Sequence, residues 1–234
     1  MTNTPINLIK LQNFEDFYST CINFGIEINN NQLDLFKKYY EVLIEWNKKI
    51  NLISRGSLQQ SPTINDPILE KHFLDSIVFL PEIKEFLLTS SFDIGSGAGF
   101  PAIPLVIMKS DLEVTLCEST RKKTDFLNNL VSELNLGKKV KIINDRVENI
   151  NKKNEYKNKF NFVTARAVAK LDELVKYALP LLKENGCLLA YKARNIDDEI
   201  KTIEKIMTKH NLQLKIFSKE INDVIRQLVI IQRG

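Results

Sequence analysis

Cysteine and histidine are scarce in this sequence, which has three cysteines and two histidines among 234 residues. Cys21, Cys117 and Cys187 are scattered and form neither a C-x-x-C pair nor a cluster with histidine. This distribution predicts neither a disulfide framework nor a metal site. We therefore expect three buried thiols in a reducing cytoplasm, and no bound metal ion.

Long apolar segments are also missing. No run approaches the ~18 residues that would predict a membrane span, and the first 14 residues lack the basic start and apolar core of a signal peptide. The sequence therefore predicts a cytoplasmic protein without membrane contact. Hydrophobic residues (44%) and charged residues (26%) have the proportions of a globular protein, and the net charge of +4 permits a polyanionic partner without requiring one.

Residues 1–90 contain residues typical of helix starts and ends but no convincing strand pattern. We interpret them as an N-terminal helical extension. Asn31 is predicted to cap a helix whose apolar residues recur at three- and four-residue steps up to Ile50. Asp66 and Pro67 form the typical start of another helix, which we expect Pro81 to end.

Residues 91–234 alternate between short apolar runs and helical segments. This alternation predicts parallel strands joined by right-handed crossovers, and hence a doubly wound, mostly parallel α/β sheet. The last two strands have no helix between them, so we expect a hairpin that adds one antiparallel strand. The predicted strands are Phe92–Ile94, Val114–Cys117, Val140–Ile143, Phe160–Thr164, Leu188–Tyr191, Leu212–Phe217 and Val224–Ile231, and the predicted helices lie near 101–109, 122–135, 171–183 and 196–210.

A glycine-rich turn follows the first predicted strand, and it holds three of the eight glycines of the chain, Gly95, Gly97 and Gly99. Glycine permits backbone angles and a close ligand approach that a Cβ atom would block. The spacing is G-x-G-x-G, whereas the dinucleotide fingerprint is G-x-G-x-x-G and binds a pyrophosphate. The turn therefore favours a cofactor without a pyrophosphate.

Polar residues follow the next three predicted strands as well. Glu118 ends the second strand, where an acid can bind a ribose diol. The segment 145–148 follows the third strand, beside the expected adenine position, and Arg166 follows the fourth. Because ligands of open α/β sheets bind at the carboxyl edge of the strands, these groups predict one site.

The sequence resembles the RsmG (GidB) family of bacterial methyltransferases, from about residue 33 to residue 193. The resemblance implies a class I methyltransferase fold, S-adenosyl-L-methionine as cofactor, and methylation of guanine N7 in the 530 loop of 16S ribosomal RNA, free or in the small-subunit particle. The segments that carry it are Tyr40–Leu52, His72–Ser76, Asp93–Pro104, Arg146–Glu148, Ala165–Ala169 and Ala190–Lys192.

Carried over by position, the resemblance also implies roles for individual residues. Arg166 would sit beside the cofactor and orient the target base, and it is the one catalytic candidate. Glu118 stands where the family usually has aspartate, and the longer acid keeps the ribose role. The residues expected to bind the cofactor are Gly95, Gly97, Phe100, Glu118, Val147, Glu148 and Arg166.

Three further side chains are candidates to face the substrate: His72, Asp75 and Lys192. His72 and Asp75 lie three residues apart on one helix face, so the alternative is a contact that ties the helical extension to the sheet. Basic residues are candidates for phosphate contacts, and each is also compatible with a solvated surface. They are Lys48, Lys49, Arg55, Arg121, Lys122, Lys123, Lys192 and Arg194.

Three other functions remain open. A nicotinamide-dependent dehydrogenase shares the glycine turn and the strand-end acid, although the glycine spacing and the terminal hairpin disfavour it. A methyltransferase for another RNA or a small molecule shares the cofactor site. A non-catalytic RNA-binding assembly protein would share the fold but not the activity.

Overall fold

A computed structural model of the protein describes residues 9, 11–53, 66–86, 89–192 and 196–233. The strands are β1 (Ser90–Ile94), β2 (Glu113–Cys117), β3 (Val140–Ile143), β4 (Phe160–Arg166), β5 (Leu182–Lys192), β6 (Leu212–Ile221) and β7 (Val224–Arg233). The α-helices are α1 (Phe14–Asn23), α2 (Asn30–Asn47), α3 (Asp75–Ile77), α4 (Leu80–Ile83), α5 (Ala102–Met108), α6 (Arg121–Glu133), α7 (Val147–Ile150), α8 (Leu171–Ala178) and α9 (Asp197–His210).

The seven strands form one sheet in the order β3-β2-β1-β4-β5-β7-β6. Strand β7 pairs antiparallel with β5 and with β6, and the pairs among β1 to β5 are parallel. The prediction of a doubly wound, mostly parallel sheet with one antiparallel strand is therefore confirmed. The strand order reverses between β1 and β4, which leaves a crevice at their carboxyl ends.

The helix ends differ from the sequence predictions in three places. Helix α2 is capped by Asn29 rather than Asn31, because Gln32 completes a reciprocal capping box with Asn29. Pro81 does not end a helix but lies in the first turn of α4, where its missing N–H costs no hydrogen bond. The helix predicted over 171–183 ends at Ala178, since Pro180 cannot continue it.

The helix that begins near Asp66 is irregular. The Asp66 carboxylate accepts a hydrogen bond from the amide of Ile68 at 2.8 Å, as expected of an N-cap. The chain then forms a π-helix over Leu69–Leu74, which the sequence pattern did not predict. Such segments are rare and often lie at functional sites.

One hydrophobic cluster joins the helical extension to the sheet. It contains Phe36 and Tyr39 of α2 together with Phe126 of α6 and Leu228 of β7. Within the described part of the chain, no helix is long and apolar enough to span a membrane. The three cysteines are free and buried, as expected, and burial raises the pKa of each thiol to about 12.

A buried ion cluster ties the terminal hairpin to the π-helix. Arg226 of β7 is 4% exposed, and its guanidinium donates to the carboxylates of Glu70 at 2.8 Å and Asp75 at 2.9 Å. It also donates to the carbonyls of Ile221 and Val224. The two ion pairs join residues about 150 positions apart in the sequence.

We expect Arg226→Met to destabilise the protein by about 3–5 kcal/mol, because it leaves two acids at this buried site without their shared cation. Urea denaturation measures the change in the free energy of unfolding. Lys201→Met is the control, since the Lys201–Asp198 pair is exposed and worth little. A loss below 1 kcal/mol in Arg226→Met would contradict this account of the cluster.

Candidate active site

The glycine-rich turn connects β1 to α5 at the carboxyl edge of the sheet. Gly95 has φ +66°, and a Cβ atom there would lie 2.8 Å from Val168 Cγ2. Gly99 has φ +92°, and its Cβ would lie 2.8 Å from the hydroxyl oxygen of Tyr39. The Tyr39 hydroxyl donates a hydrogen bond to the carbonyl of Ala98. Helix α2 therefore helps to fix the shape of the turn.

Glu118 lies beside the turn at the tip of β2. The residue is 6% exposed, and its carboxylate accepts hydrogen bonds from the amides of Gly97 at 2.9 Å and Thr120 at 2.8 Å. Both bonds hold the carboxylate at the carboxyl edge. The acid thus links the turn after β1 to the start of α6.

A cavity of about 240 Å³ opens at the ends of β1, β2 and β3. Gly95, Val147 and Glu148 line it, as does the Tyr177 ring, whose hydroxyl donates to Glu148 at 3.2 Å. The other lining residues are Ile94, Cys117, Ser119, Asp145, Arg146, Val168, Ala169 and Glu173. We call this space the first cavity.

Asp93 of β1 lies just before the glycine turn and is a candidate that the sequence analysis did not name. It is 1% exposed; its Oδ1 accepts a hydrogen bond from the Thr164 hydroxyl at 2.6 Å, and its Oδ2 has no hydrogen-bond partner among the residues that the structure describes. Burial raises the pKa of Asp93 to about 7. Its signal in the sequence was an acid two residues before the first glycine of the turn.

Arg166, the last residue of β4, is half-buried against an aromatic cluster. Its guanidinium carbon lies 5.0 Å from the centroid of the Phe100 ring, and its Nη2 lies 2.8 Å from Nδ1 of His72. Phe100 stacks against both Tyr39 and His72, at centroid distances of 5.2 and 5.0 Å. Burial, aided by the charge of Arg166, lowers the pKa of His72 to about 3. The imidazole is therefore neutral, and its Nδ1 accepts the hydrogen bond from Arg166.

Arg166 also lines a second cavity, of about 400 Å³. Arg166 and Ala167 line this second cavity, whereas Val168 and Ala169 line the first. Ala167 has φ +56°, which is costly for a residue with a Cβ atom and often marks a functional site. The other lining residues are Lys71, Asp75, Phe79, Tyr191, Lys192, Ile196, Glu199, Arg226 and Gln227.

The structure divides the predicted site residues into two groups. One group lies at the first cavity or beside it and consists of Gly95, Gly97, Glu118, Val147 and Glu148. The other lies around Arg166 and consists of His72, Asp75, Phe100 and Lys192.

Three members of the second group have partners within the protein. His72 contacts Arg166, and Asp75 pairs with Arg226. Burial raises the pKa of Asp75, and Arg226 acts in the opposite direction. The Lys192 ammonium donates to the Glu199 carboxylate at 2.7 Å and to the carbonyl of Ala169 at 3.0 Å. All three side chains therefore connect neighbouring elements at the carboxyl edge.

The basic residues considered for phosphate contacts are mostly exposed. Lys49 pairs with Glu45, and Arg121 pairs with Asp125. Lys48 and Lys122 are exposed, Lys123 is half-buried, and Arg55 and Arg194 lie outside the described residues. Among the residues that the structure describes, no group of three or more histidine, cysteine, aspartate or glutamate side chains is arranged to hold a metal ion.

Comparisons with known proteins give a consistent result. The family described as rRNA small subunit methyltransferase G matches residues 32–229. A protein of Lactococcus lactis named ribosomal RNA small subunit methyltransferase G is 38% identical over 82% of this chain and 77% of its own length. A protein of the same name from Clostridium perfringens is 34% identical over 95% of this chain and 91% of its own length. An O-methyltransferase from Bacillus cereus, solved with SAH, shares the fold with a TM-score of 0.61 at 12% identity, over 95% of this chain and 100% of that one.

We expect Glu118→Ala to weaken binding of S-adenosylhomocysteine by about 1.5–3 kcal/mol, the usual contribution of hydrogen bonds to a charged group. Glu118→Asp should recover much of this loss. Isothermal calorimetry measures the affinities. Glu113→Ala is a matched control, because Glu113 lies at the opposite end of β2 and is exposed. Wild-type affinity in both Glu118 variants would remove this residue from the site.

Asp93 should make the stability of the free protein depend on pH. The raised pKa means that the folded state holds the proton more tightly than the unfolded state, whose value is near 3.8. Stability from this group is therefore full below about pH 4 and is lost as the pH rises towards 7. We expect Asp93→Asn to lose less stability than wild type between pH 4.5 and 8 in urea denaturation. Parallel curves for the two proteins would contradict the raised pKa.

Proposed function

Since the chain belongs to the rRNA small subunit methyltransferase G family, we propose that it transfers a methyl group from S-adenosyl-L-methionine to N7 of a guanine in the 530 loop of 16S ribosomal RNA. The substrate would be the free RNA or the small-subunit particle. Such a substrate implies a cytoplasmic location. The observation that carries the proposal is Arg166, which lines the second cavity at the carboxyl edge of the sheet and is held there by His72.

The first cavity and the glycine turn are the proposed cofactor site, and the residues present fit this group. The Glu118 carboxylate would accept hydrogen bonds from the ribose hydroxyls, and Val147 and Glu148 would hold the adenine end. Oδ2 of Asp93 would accept a hydrogen bond from the cofactor's ammonium group, whose positive charge would favour the ionised carboxylate. When bound, the cofactor supplies an electrophilic methyl group on a positively charged sulfur.

The second cavity is the proposed place for the target base. Guanine N7 has an in-plane lone pair, so no proton has to be removed before the methyl group is transferred. The protein therefore needs no general base, and its task is to align the base with the methyl group. Arg166 would donate hydrogen bonds to guanine O6 or to a phosphate, while His72 and Phe100 hold its guanidinium in place.

The alternatives have less support. The family match and the G-x-G-x-G turn disfavour a nicotinamide-dependent dehydrogenase. An experiment distinguishes the proposed function from a methyltransferase for another RNA or a small molecule, and from a non-catalytic assembly protein.

In this experiment the protein is incubated with methyl-labelled S-adenosylmethionine and unmethylated small-subunit RNA or particles, and the label is mapped by nuclease digestion. Label on a guanine of the 530 loop is expected. Absence of label from wild-type reactions, or its location elsewhere, would contradict the proposal.

We expect Arg166→Ala to lower kcat at saturating cofactor and RNA by about 10- to 100-fold, equivalent to roughly 1.5–3 kcal/mol of lost hydrogen bonding. Arg166→Lys should restore little activity, because an ammonium cannot reproduce the planar guanidinium. Methyl transfer with saturating particles measures kcat, and Lys201→Ala, at an exposed lysine of α9, is the control.

The pattern of kinetic changes separates the roles of Arg166. A raised KM for S-adenosylmethionine with unchanged kcat would indicate that Arg166 supports only the cofactor. A lower melting temperature together with lower affinity for both ligands would indicate a structural role. Full activity in Arg166→Ala would contradict both proposed roles.

A further inference from the structure

Six lysines line a cleft at the amino edge of the sheet, opposite the proposed cofactor site. The cleft has a volume of about 620 Å³. Glu113 is the one acid among its lining residues. The lysines are Lys138, Lys139, Lys141, Lys157, Lys159 and Lys183. We call this feature the lysine cleft.

The topology of the sheet brings these lysines together. In a parallel sheet the connections from helix to strand all lie at the amino edge. Lys138, Lys139 and Lys141 come from the connection before β3 and from β3 itself, whereas Lys157 and Lys159 come from the connection before β4. Strands β2 and β1 lie between β3 and β4. Two groups of cations therefore face each other across three strand spacings, about 14 Å.

Four of these lysines are not neutralised by the protein. The ammonium groups of Lys138, Lys139, Lys157 and Lys159 make no hydrogen bond or ion pair with the described residues, and all four residues except the half-buried Lys139 are exposed. In contrast, lysines on the helices often pair with an acid one turn away, as in Lys37–Asp34, Lys176–Asp172 and Lys201–Asp198. The concentration of unpaired cations thus distinguishes the cleft from the helical surfaces.

The charge balance of the whole chain leads to the same conclusion. The chain has 33 basic and 29 acidic residues. Six of the basic residues and one of the acidic residues line the cleft. The remaining 27 basic and 28 acidic residues nearly cancel. The excess positive charge of the protein is therefore no larger than the charge of this cleft.

We propose that the lysine cleft binds the phosphodiester backbone of the RNA substrate at a second contact, on the side of the protein opposite the cofactor. This inference rests on the proposed RNA substrate. Lysine is a flexible, strongly hydrated point charge, which suits phosphates and reads no base sequence. The backbone at Gly137 has no neighbouring atom within 4 Å of its Cβ position, so the wall of the cleft is open there. The contact would orient the RNA, while the target base enters at the carboxyl edge.

The test compares two variants with the same change in charge. In the cleft variant, Lys138, Lys139, Lys157 and Lys159 are replaced by Gln. In the control variant, four lysines of α8 and α9 are replaced by Gln, namely Lys176, Lys201, Lys205 and Lys209. Fluorescence anisotropy measures the binding of a labelled fragment of small-subunit rRNA that contains the 530 loop, at several KCl concentrations.

We expect the cleft variant to bind this RNA at least tenfold more weakly than wild type. The slope of log affinity against log salt should fall by about three, because each lost phosphate contact removes about 0.7–0.9 from the slope. The control variant should retain most of the affinity and slope. S-adenosylhomocysteine binding and kcat at saturating particles should be unchanged in both variants, which shows that the fold and the carboxyl edge are intact.

Several results would overturn the inference. One is wild-type RNA affinity and salt slope in the cleft variant. Another is an equal loss of RNA affinity in the control variant, and a third is failure of the wild-type protein to bind the RNA. Unchanged RNA affinity with weaker binding of small-subunit particles would assign the cleft to an acidic protein surface instead. If wild type binds RNA through the cleft but transfers no methyl group to it, the proposed function fails and the cleft assignment stands.

Discussion

The contact between Arg166 and the aromatic cluster of Tyr39, Phe100 and His72 is the constraint on which the carboxyl edge depends. Each member comes from a different element: α2, the glycine turn, the π-helix and β4. An arginine side chain is flexible, and ordering it costs conformational entropy. The ring of Phe100 and the neutral His72 restrict its guanidinium before any ligand binds, so part of that cost is met by folding.

The helical extension therefore contributes contacts to the candidate site. Tyr39 contacts the glycine turn through Ala98 and stacks on Phe100, and His72 accepts from Arg166. The terminal hairpin contributes Arg226, which forms ion pairs with Glu70 and Asp75. These two acids lie on either side of His72 in the sequence. Helix α2 and the terminal hairpin therefore both contact the elements that hold Arg166.

The strands, the glycine turn and the terminal hairpin were predictable, because apolar periodicity and turn residues act locally and crossover handedness limits the topology. The capping of α2 was placed two residues too late, because Gln32 decides between neighbouring asparagines. The π-helix and the Arg226 cluster had no local signal, and the acid before the glycine turn did not show that one oxygen of Asp93 would be unpartnered. These features depend on contacts between residues far apart in the sequence, which a single sequence does not show.

The two edges of the sheet are suited to different tasks. At the carboxyl edge, His72, Asp75, Lys192 and Arg226 make contacts within the protein, which gives fixed geometry and little free charge. At the amino edge, four of the cleft lysines have ammonium groups that can exchange counterions for phosphates. Strand β1 has five residues, so the edges are about 16 Å apart, which exceeds the Debye length of about 8 Å at physiological salt. The cleft therefore acts on the association of RNA and has little electrostatic influence on the methyl transfer itself.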